Sequence, residues 1–286
     1  MKSNYKIFFF KILKWIGKIL KWIFITVVIG IIILNLFLLT KHPSNDRDWN
    51  NDQKILPTAE ISGNLVTIHN VRNIAYRSTS DYTLDYYDRT YDLNDLQKVF
   101  FVVEPFSGFV GSAHTFLSFQ FSTSTFVSIS VEIRKEKGES FSALKGILRS
   151  YEIMYVVADE RDVIKLRSNF RKDKVFIYPA RTEKGKQLFL SMISRANELA
   201  KKPEFYNTLT NTCTTNIVSH INALTPKRIS WLDYRVLLPE NSDTYAHEMG
   251  LIDTDLSLEQ AREKYLINER AMKYADDNDF SLKIRE

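Results

Sequence analysis

Residues 204–222 read EFYNTLTNTCTTNIVSHIN and hold the only cysteine of the 286-residue chain. The stretch passes from a polar run into an apolar periodicity. Thr210, Asn211 and Thr212 are all helix-capping residue types. Beyond them Cys213, Ile217, Ile221 and Leu224 recur at helical spacing. The pattern predicts a helix with Cys213 in its first turn. Unpaired N–H groups and the helix dipole favour an anion there, so a thiolate is stabilised. The same N–H groups suit the oxyanion that forms when sulfur attacks a carbonyl. The alternative is a small hydrophobe filling a core, a common place for free cysteine. A reactive thiol also calls for a base.

The compartment bears on that choice. Lys2, Lys6, Lys11, Lys14, Lys18 and Lys21 fall in the first 21 residues, which contain no acid. Residues 22–40, WIFITVVIGIIILNLFLLT, carry no charge and are long enough to cross a bilayer core as a helix. The lysines lie on one side only, which predicts a cytoplasmic N-terminus and an extracytoplasmic remainder. A cleaved signal peptide would have a shorter apolar core and small residues at its cleavage site, and LFLLTKHPS offers no A-x-A pattern. The lysines, with Trp15 and Trp22 among them, also suit an amphipathic helix lying on the anionic inner leaflet. The formal charge of +5 becomes 5 − 6 = −1 without the six lysines. The basic balance therefore reflects topology rather than a nucleic-acid footprint.

Residues 43–53, PSNDRDWNNDQ, read as a linker. NLVTIHNVRNIAYRS, YTLDYYDRTYDL, LQKVFFVVEPF, SAHTFLSFQF and TFVSISVEIRKE read as strands, with Gly108 and Gly111 in a loop before the fourth. Residues 151–158 and KVFIYPA add strands, and a short helix starts at Asp159. Leu188, Phe189, Met192, Ile193, Ala196 and Leu199 mark a helix that Pro203 stops. SLEQAREKYLINERAMKYADD reads as helix with a solvated charged face. The class is α+β. There is no repeat, no glycine-rich phosphate loop and no cysteine–histidine cluster of zinc spacing. No metal and no cofactor is expected.

Five histidines are present, and His42 abuts the apolar segment. His220 stands seven residues past Cys213, about 10.5 Å along the helix, too far for a hydrogen bond; a polar or capping role suits it. His69 and His247 lie among no other signals. His114 opens a strand directly after a glycine-bearing loop, an edge position where chemistry is often placed. In SISVEIR, residues Ser128, Ser130 and Glu132 share one strand face. If that strand pairs with the His114 strand, Glu132 or Ser130 can hold the imidazole, and a carboxylate would also stabilise an imidazolium. A solvated strand face, with Glu132 beside Arg134 or Lys135, is the other reading.

NVRNIAYRS, AHTFLSFQF, SVEIRKEKGESFS, YVVADERDVIKLR, FYNTLTNTCTTNI and LPENSDTYAHEMGLID together resemble, in this order, the Lnb-type periplasmic domain family, whose name comes from a bacterial lipoprotein N-acyltransferase. Similar motifs run from about residue 46 to the end. The resemblance implies a circularly permuted papain-like (NlpC-type) domain after a single N-terminal transmembrane helix, with the histidine strand ahead of the cysteine helix. It implies Cys213 as nucleophile, His114 as base, Glu132 or Ser130 as orienter, and Asn211 in polarisation or capping. Family members often read Asn-Asn-Cys-Thr-Thr where this chain has Asn211-Thr212-Cys213. The acyltransferase has further membrane segments after this domain.

The organisation expected is a basic cytoplasmic segment (1–21), an anchor (22–40), a linker (41–53) and an extracytoplasmic catalytic domain (54–286) at the inner membrane. The expected activity is a cysteine acyltransferase or hydrolase acting through an acyl-thioester on membrane lipid or lipoprotein acyl groups, with a separate membrane protein as a partner for the missing segments. A peptidoglycan amide hydrolase, which would need a polar groove, and a non-catalytic envelope binding or assembly protein are the alternatives. No nucleic-acid partner is expected.

Overall fold

A computed structural model describes the backbone of residues 2–108, 110–226 and 228–286. The side chains of residues 2–8, 10 and 12 lie outside that description, and with them Lys2 and Lys6 of the basic segment. The chain divides into Met1–Pro43 and Ser44–Glu286.

The first unit is one helix, α1 (Lys2–Leu39). The basic segment and the apolar segment run on without a break. Its Leu13–Leu39 part is long and apolar enough to cross a membrane, with a mean hydropathy of 2.8 over its most apolar window. At about 1.5 Å per residue the helix is roughly 57 Å long, against an apolar bilayer core of about 30 Å.

The second unit is built on a sheet of β1 (Thr58–Ser62), β2 (Leu65–Arg72), β5 (Tyr86–Asp92), β6 (Leu96–Pro105), β7 (Ala113–Phe121), β8 (Thr125–Arg134), β9 (Glu152–Asp159) and β10 (Phe176–Pro179). The order is β1-β2-β9-β8-β7-β6-β10, and β5 pairs with β2. All pairings are antiparallel except β2 with β9, which meet in parallel at Arg72 and Ala158. β3 (Ala75–Tyr76) and β4 (Tyr82–Thr83) form a small separate ribbon. The central strands β6 to β9 read as almost continuous apolar runs because both faces of the sheet are covered.

Alternation divides these strands between two cores. Leu117, Phe119, Val127, Ile129, Val131, Tyr155 and Val157 face α4 (Gly185–Lys201) and α5 (Cys213–Leu224), packing on Phe189, Met192, Ile193 and Ile217. The six α4 positions singled out by their spacing are all buried. Phe100, Val102, Phe116, Phe126, Met154 and Val156 face the other way, onto Val163, Ile164, Ile267 and Phe280. That second layer comprises α3 (Glu160–Lys165), the π-helical turn Leu166–Arg171, α9 (Asn268–Lys273) and α10 (Phe280–Lys283), whereas α8 (Leu258–Tyr265) packs on Phe176 and Tyr178 on the other face.

Two expectations need correction. Residues 44–53 are not a linker. Trp49 and Gln53 are buried, Arg134 stacks on the Trp49 ring at 4.3 Å, and Gln53 and Lys54 carbonyls take its guanidinium. The segment is polar because it solvates a buried arginine. The run at 257–277 is two short helices, α8 and α9, because Leu266 is extended and Ile267 gives its N–H to the Val175 carbonyl. The sequence also gave no signal for β1, or for α2 (Ala143–Ile147), α6 (Tyr234–Leu237) and α7 (Ser242–Glu248).

Candidate functional site

α5 begins at Cys213, as its flanking residues demand. Thr212 is the cap: its hydroxyl accepts from the Thr215 N–H (3.2 Å), and its own N–H donates to the Thr215 hydroxyl (2.7 Å). This reciprocal pair satisfies two groups at the helix start. Asn211 is therefore not the cap. Its amide nitrogen donates to the Phe205 carbonyl (2.9 Å), and its oxygen accepts from Asn216 (2.8 Å). It fixes the loop before Cys213 to the second turn of α5. Cys213 is free and half-buried, packed at the edge of the α4–α5 core. Its sulfur lies 3.7 Å from the Thr214 hydroxyl, and that hydroxyl meets the Thr115 hydroxyl at 3.0 Å. Burial, and then the charge Cys213 can carry, raise the nearby Tyr206 phenol, which stays neutral.

His220 is a structural residue. Tyr155 gives its hydrogen to Asn216 (3.1 Å) and so accepts from His220 Nε2 (2.7 Å), while the Ser191 hydroxyl donates to Nδ1 (2.7 Å). Burial lowers its pKa to about 4, so it is neutral. His69 contacts Asp88 at 2.6 Å, and His247 donates to the Leu256 carbonyl at 2.9 Å.

His114 sits on the opposite side of the sheet. It is opposite Glu104 in the β6–β7 ladder and shares the Phe116 face, stacking on that ring at 5.7 Å. Its Nε2 lies 2.7 Å from the Ser130 hydroxyl. Ser130 gives its one hydrogen to Glu132 (2.9 Å), so it must accept from Nε2–H. This fixes the tautomer and leaves Nδ1 as the acceptor. Glu132 itself is 3.9 Å from Nε2, so it acts on the ring through Ser130. The shared strand face expected for Ser130 and Glu132 is present.

Arg167, on the π-helical turn, closes this group. It donates to Glu104 (2.6 Å), to Glu132 (3.1 Å) and to the Val163 carbonyl (2.9 Å), and stacks on Phe116 at 5.0 Å. Arg171 approaches Glu104 at 3.5 Å. Beside them Arg72 forms a two-pronged pair with Asp162, both bonds 2.9 Å. Burial, then Arg167, lower His114 to a pKa of about 3. Burial opposes the charge of Glu132, but Arg167 and Arg72 override it and hold the carboxyl well below its usual range. Burial raises Glu104 in spite of Arg167. The result is a neutral imidazole over a fully hydrogen-bonded ionic network.

The structure thus brings His114, Ser130 and Glu132 together but does not bring Cys213 to them. No hydrogen bond joins Cys213 Sγ to His114. Thr115 points to α5, so its neighbour His114 points away: strand alternation puts thiol and imidazole on opposite faces of β7. Arg167, Glu104 and the Arg72–Asp162 pair were not foreseen; the only cue was charge inside otherwise apolar strand and helix segments. Among the described residues, no three or more His, Cys, Asp or Glu side chains converge on a possible metal position.

A cavity of about 410 Å³ runs along α5 on the Cys213 side of the sheet. Leu117, Thr214, Ile217, Val218, Ile221 and Leu224 line one wall, and Ile229, Val236 and Ala246 face them. Its lining is largely apolar, and its volume falls within the range of small-molecule sites, about 300–1,000 Å³.

The sequence profile of a family described as the Lnb N-terminal periplasmic domain matches residues 82–240, a span that holds His114, Ser130, Glu132, Arg167 and Cys213. No curated protein sequence and no solved structure matches the chain.

Proposed function

Because the chain belongs to the Lnb N-terminal periplasmic domain family, we propose that it is a membrane-anchored, extracytoplasmic enzyme that handles acyl groups through Cys213. The single observation that carries this reading is the apolar cavity beside the helix that Cys213 begins. A fatty chain suits it; a peptidoglycan stem peptide, which needs polar partners, does not. In the reaction, sulfur attacks the ester carbonyl of a lipid or lipoprotein. The C–O bond breaks, an acyl-thioester forms, and the alcohol leaves with a proton. Water or an amine then takes the acyl group and restores the thiol. N–H groups of the first turn of α5 face the developing oxyanion. Solvent takes the thiol proton in the present arrangement. A base role for His114 requires the start of β7 to leave the ladder and turn over, because Nδ1 and Sγ lie on opposite faces.

The lysine asymmetry around residues 22–40 supports a cytoplasmic N-terminus and placement in the inner membrane. The order of histidine strand before cysteine helix supports the permuted papain-like topology. An acyl acceptor carried by a separate membrane protein completes this reading.

The separation of Cys213 from His114 favours a second reading, a non-catalytic acyl-binding protein. One experiment decides between them. Full-length protein is incubated with phospholipid vesicles and weighed intact. A hydroxylamine-labile acyl adduct, absent from Cys213→Ser, supports the enzyme. A lipid chain bound without covalent attachment supports the binding protein. Untouched vesicles with cleaved peptidoglycan overturn both.

A further inference from the structure

The antiparallel order forces several connections to one end of the sheet. β6 and β8 finish there, and β7 and β9 begin there. Residues 106–108 and 110–112 and the connection 135–151 therefore share that end. Glu240, two residues past Leu238, gives its N–H to the Gly111 carbonyl at 3.2 Å, which adds residues 238–241 to it. The Thr208 hydroxyl bonds the Ala143 carbonyl at 2.7 Å, which ties the loop before Cys213 to α2.

Large apolar side chains stand out into solvent on these connections. Val110 is 96 % exposed, and Phe141, Leu144, Leu209 and Leu238 are all at least half exposed. None of these is used by either core. Soluble surfaces seldom gather such residues without a partner.

The chain also enters at this end. Ser44, the first residue of the second unit, gives its N–H to Glu152 (3.0 Å) at the start of β9. Glu152 pairs with Phe205, at the head of the loop that leads to Cys213. Only residues 40–43 separate α1 from Ser44, a reach of about 14 Å when fully extended. A helix able to cross a bilayer thus keeps Ser44, and the apolar connections around it, within a short distance of the lipid surface.

We propose that this end of the sheet, led by Phe141, Leu144 and Leu209, dips into the interfacial layer of the phospholipid bilayer that α1 crosses. Its occupant is lipid, because the short 40–43 connection holds this end within reach of the bilayer throughout. The contact is independent of acyl chemistry: it concerns depth in the membrane, not adduct formation, and either can fail while the other stands.

The test uses full-length protein in nanodiscs of phosphatidylcholine and phosphatidylglycerol. A nitroxide is placed by Leu144→Cys or Leu209→Cys in a Cys213→Ser background. The reference is Thr123→Cys, in the β7–β8 turn at the far end of the sheet. Relaxation by oxygen, which concentrates in lipid, is compared with relaxation by a water-soluble nickel chelate. The expected oxygen-to-nickel ratio at 144 and 209 is several-fold that at 123. Equal ratios at all three positions overturn the proposal. Dipolar broadening between labels at 144, together with a water-like ratio, also overturns it and assigns the face to a second copy of the chain.

Discussion

His114 hands its Nε2 hydrogen to Ser130 across 2.7 Å, and Ser130 relays its own to Glu132. The serine is the link that lets a carboxylate set the tautomer of an imidazole it does not touch. Ser130→Ala leaves Nε2–H and one Glu132 lone pair without partners in a nearly dry site. The expected loss is about 1–3 kcal/mol of stability, read from urea midpoints of the detergent-solubilised protein. Unchanged midpoints would mean water replaces the hydroxyl.

Acid should weaken the fold through the same ring. His114 titrates at about 3 in the folded protein and at about 6.5 when unfolded. Between those values the unfolded chain binds more protons, so stability falls as pH drops from about 6.5 towards 3 and levels off below. His220, at about 4, adds to the same slope. His114→Gln should flatten the dependence of unfolding midpoint on pH; a slope identical to wild type refutes the assignment.

Arg167 is the counter-charge for two buried carboxylates and joins the π-helical turn to β6 and β8. Arg167→Met strands Glu104 and Glu132. The expected cost is about 3–5 kcal/mol, the usual result of removing one partner from a buried ion pair. Arg167→Met combined with Glu104→Leu should recover part of it. Denaturant unfolding of both variants reads the difference.

Filling the cavity should separate binding from folding. Leu224 is half-buried and lines the cavity. Leu224→Trp is expected to weaken binding of a fluorescent fatty acid about tenfold, or about 1.4 kcal/mol, with the circular dichroism spectrum retained. Unaltered affinity would place the acyl site elsewhere.

How much of this could be read beforehand differs from element to element. The helix at Cys213, the buried face of α4 and the strands around His114, Ser130 and Glu132 all follow from short-range pattern: capping threonines, a 3.6-residue period and strict alternation. The relation between Cys213 and His114 does not, because it depends on which face of β7 meets α5. The sequence AHTFL is apolar on both sides of the strand, and a sheet covered on both faces gives no cue as to which residues look towards which layer. The burial of Trp49 and Gln53 is hidden in the sequence for a related reason. Their polar neighbours resemble a tether, yet their role is to hold Arg134, whose burial no local pattern announces. Arg167 and Glu104 bond across 63 positions, well beyond any window of periodicity.

The parallel meeting of β2 with β9 has a consequence in time. Ser44 and its partner Glu152 are 108 positions apart, and Arg72 precedes its ladder partner Ala158 by 158 − 72 = 86. At about 5–20 residues per second, synthesis alone separates the members of the first pair by roughly 5–20 s. During that interval β2 has emerged without β9 and can pair only with β1 and β5, while β6, β7 and β8 assemble beside it. The segment nearest the anchor is thus the first to be made and among the last to be locked. Its polar stretch at 44–54 keeps it soluble while it waits.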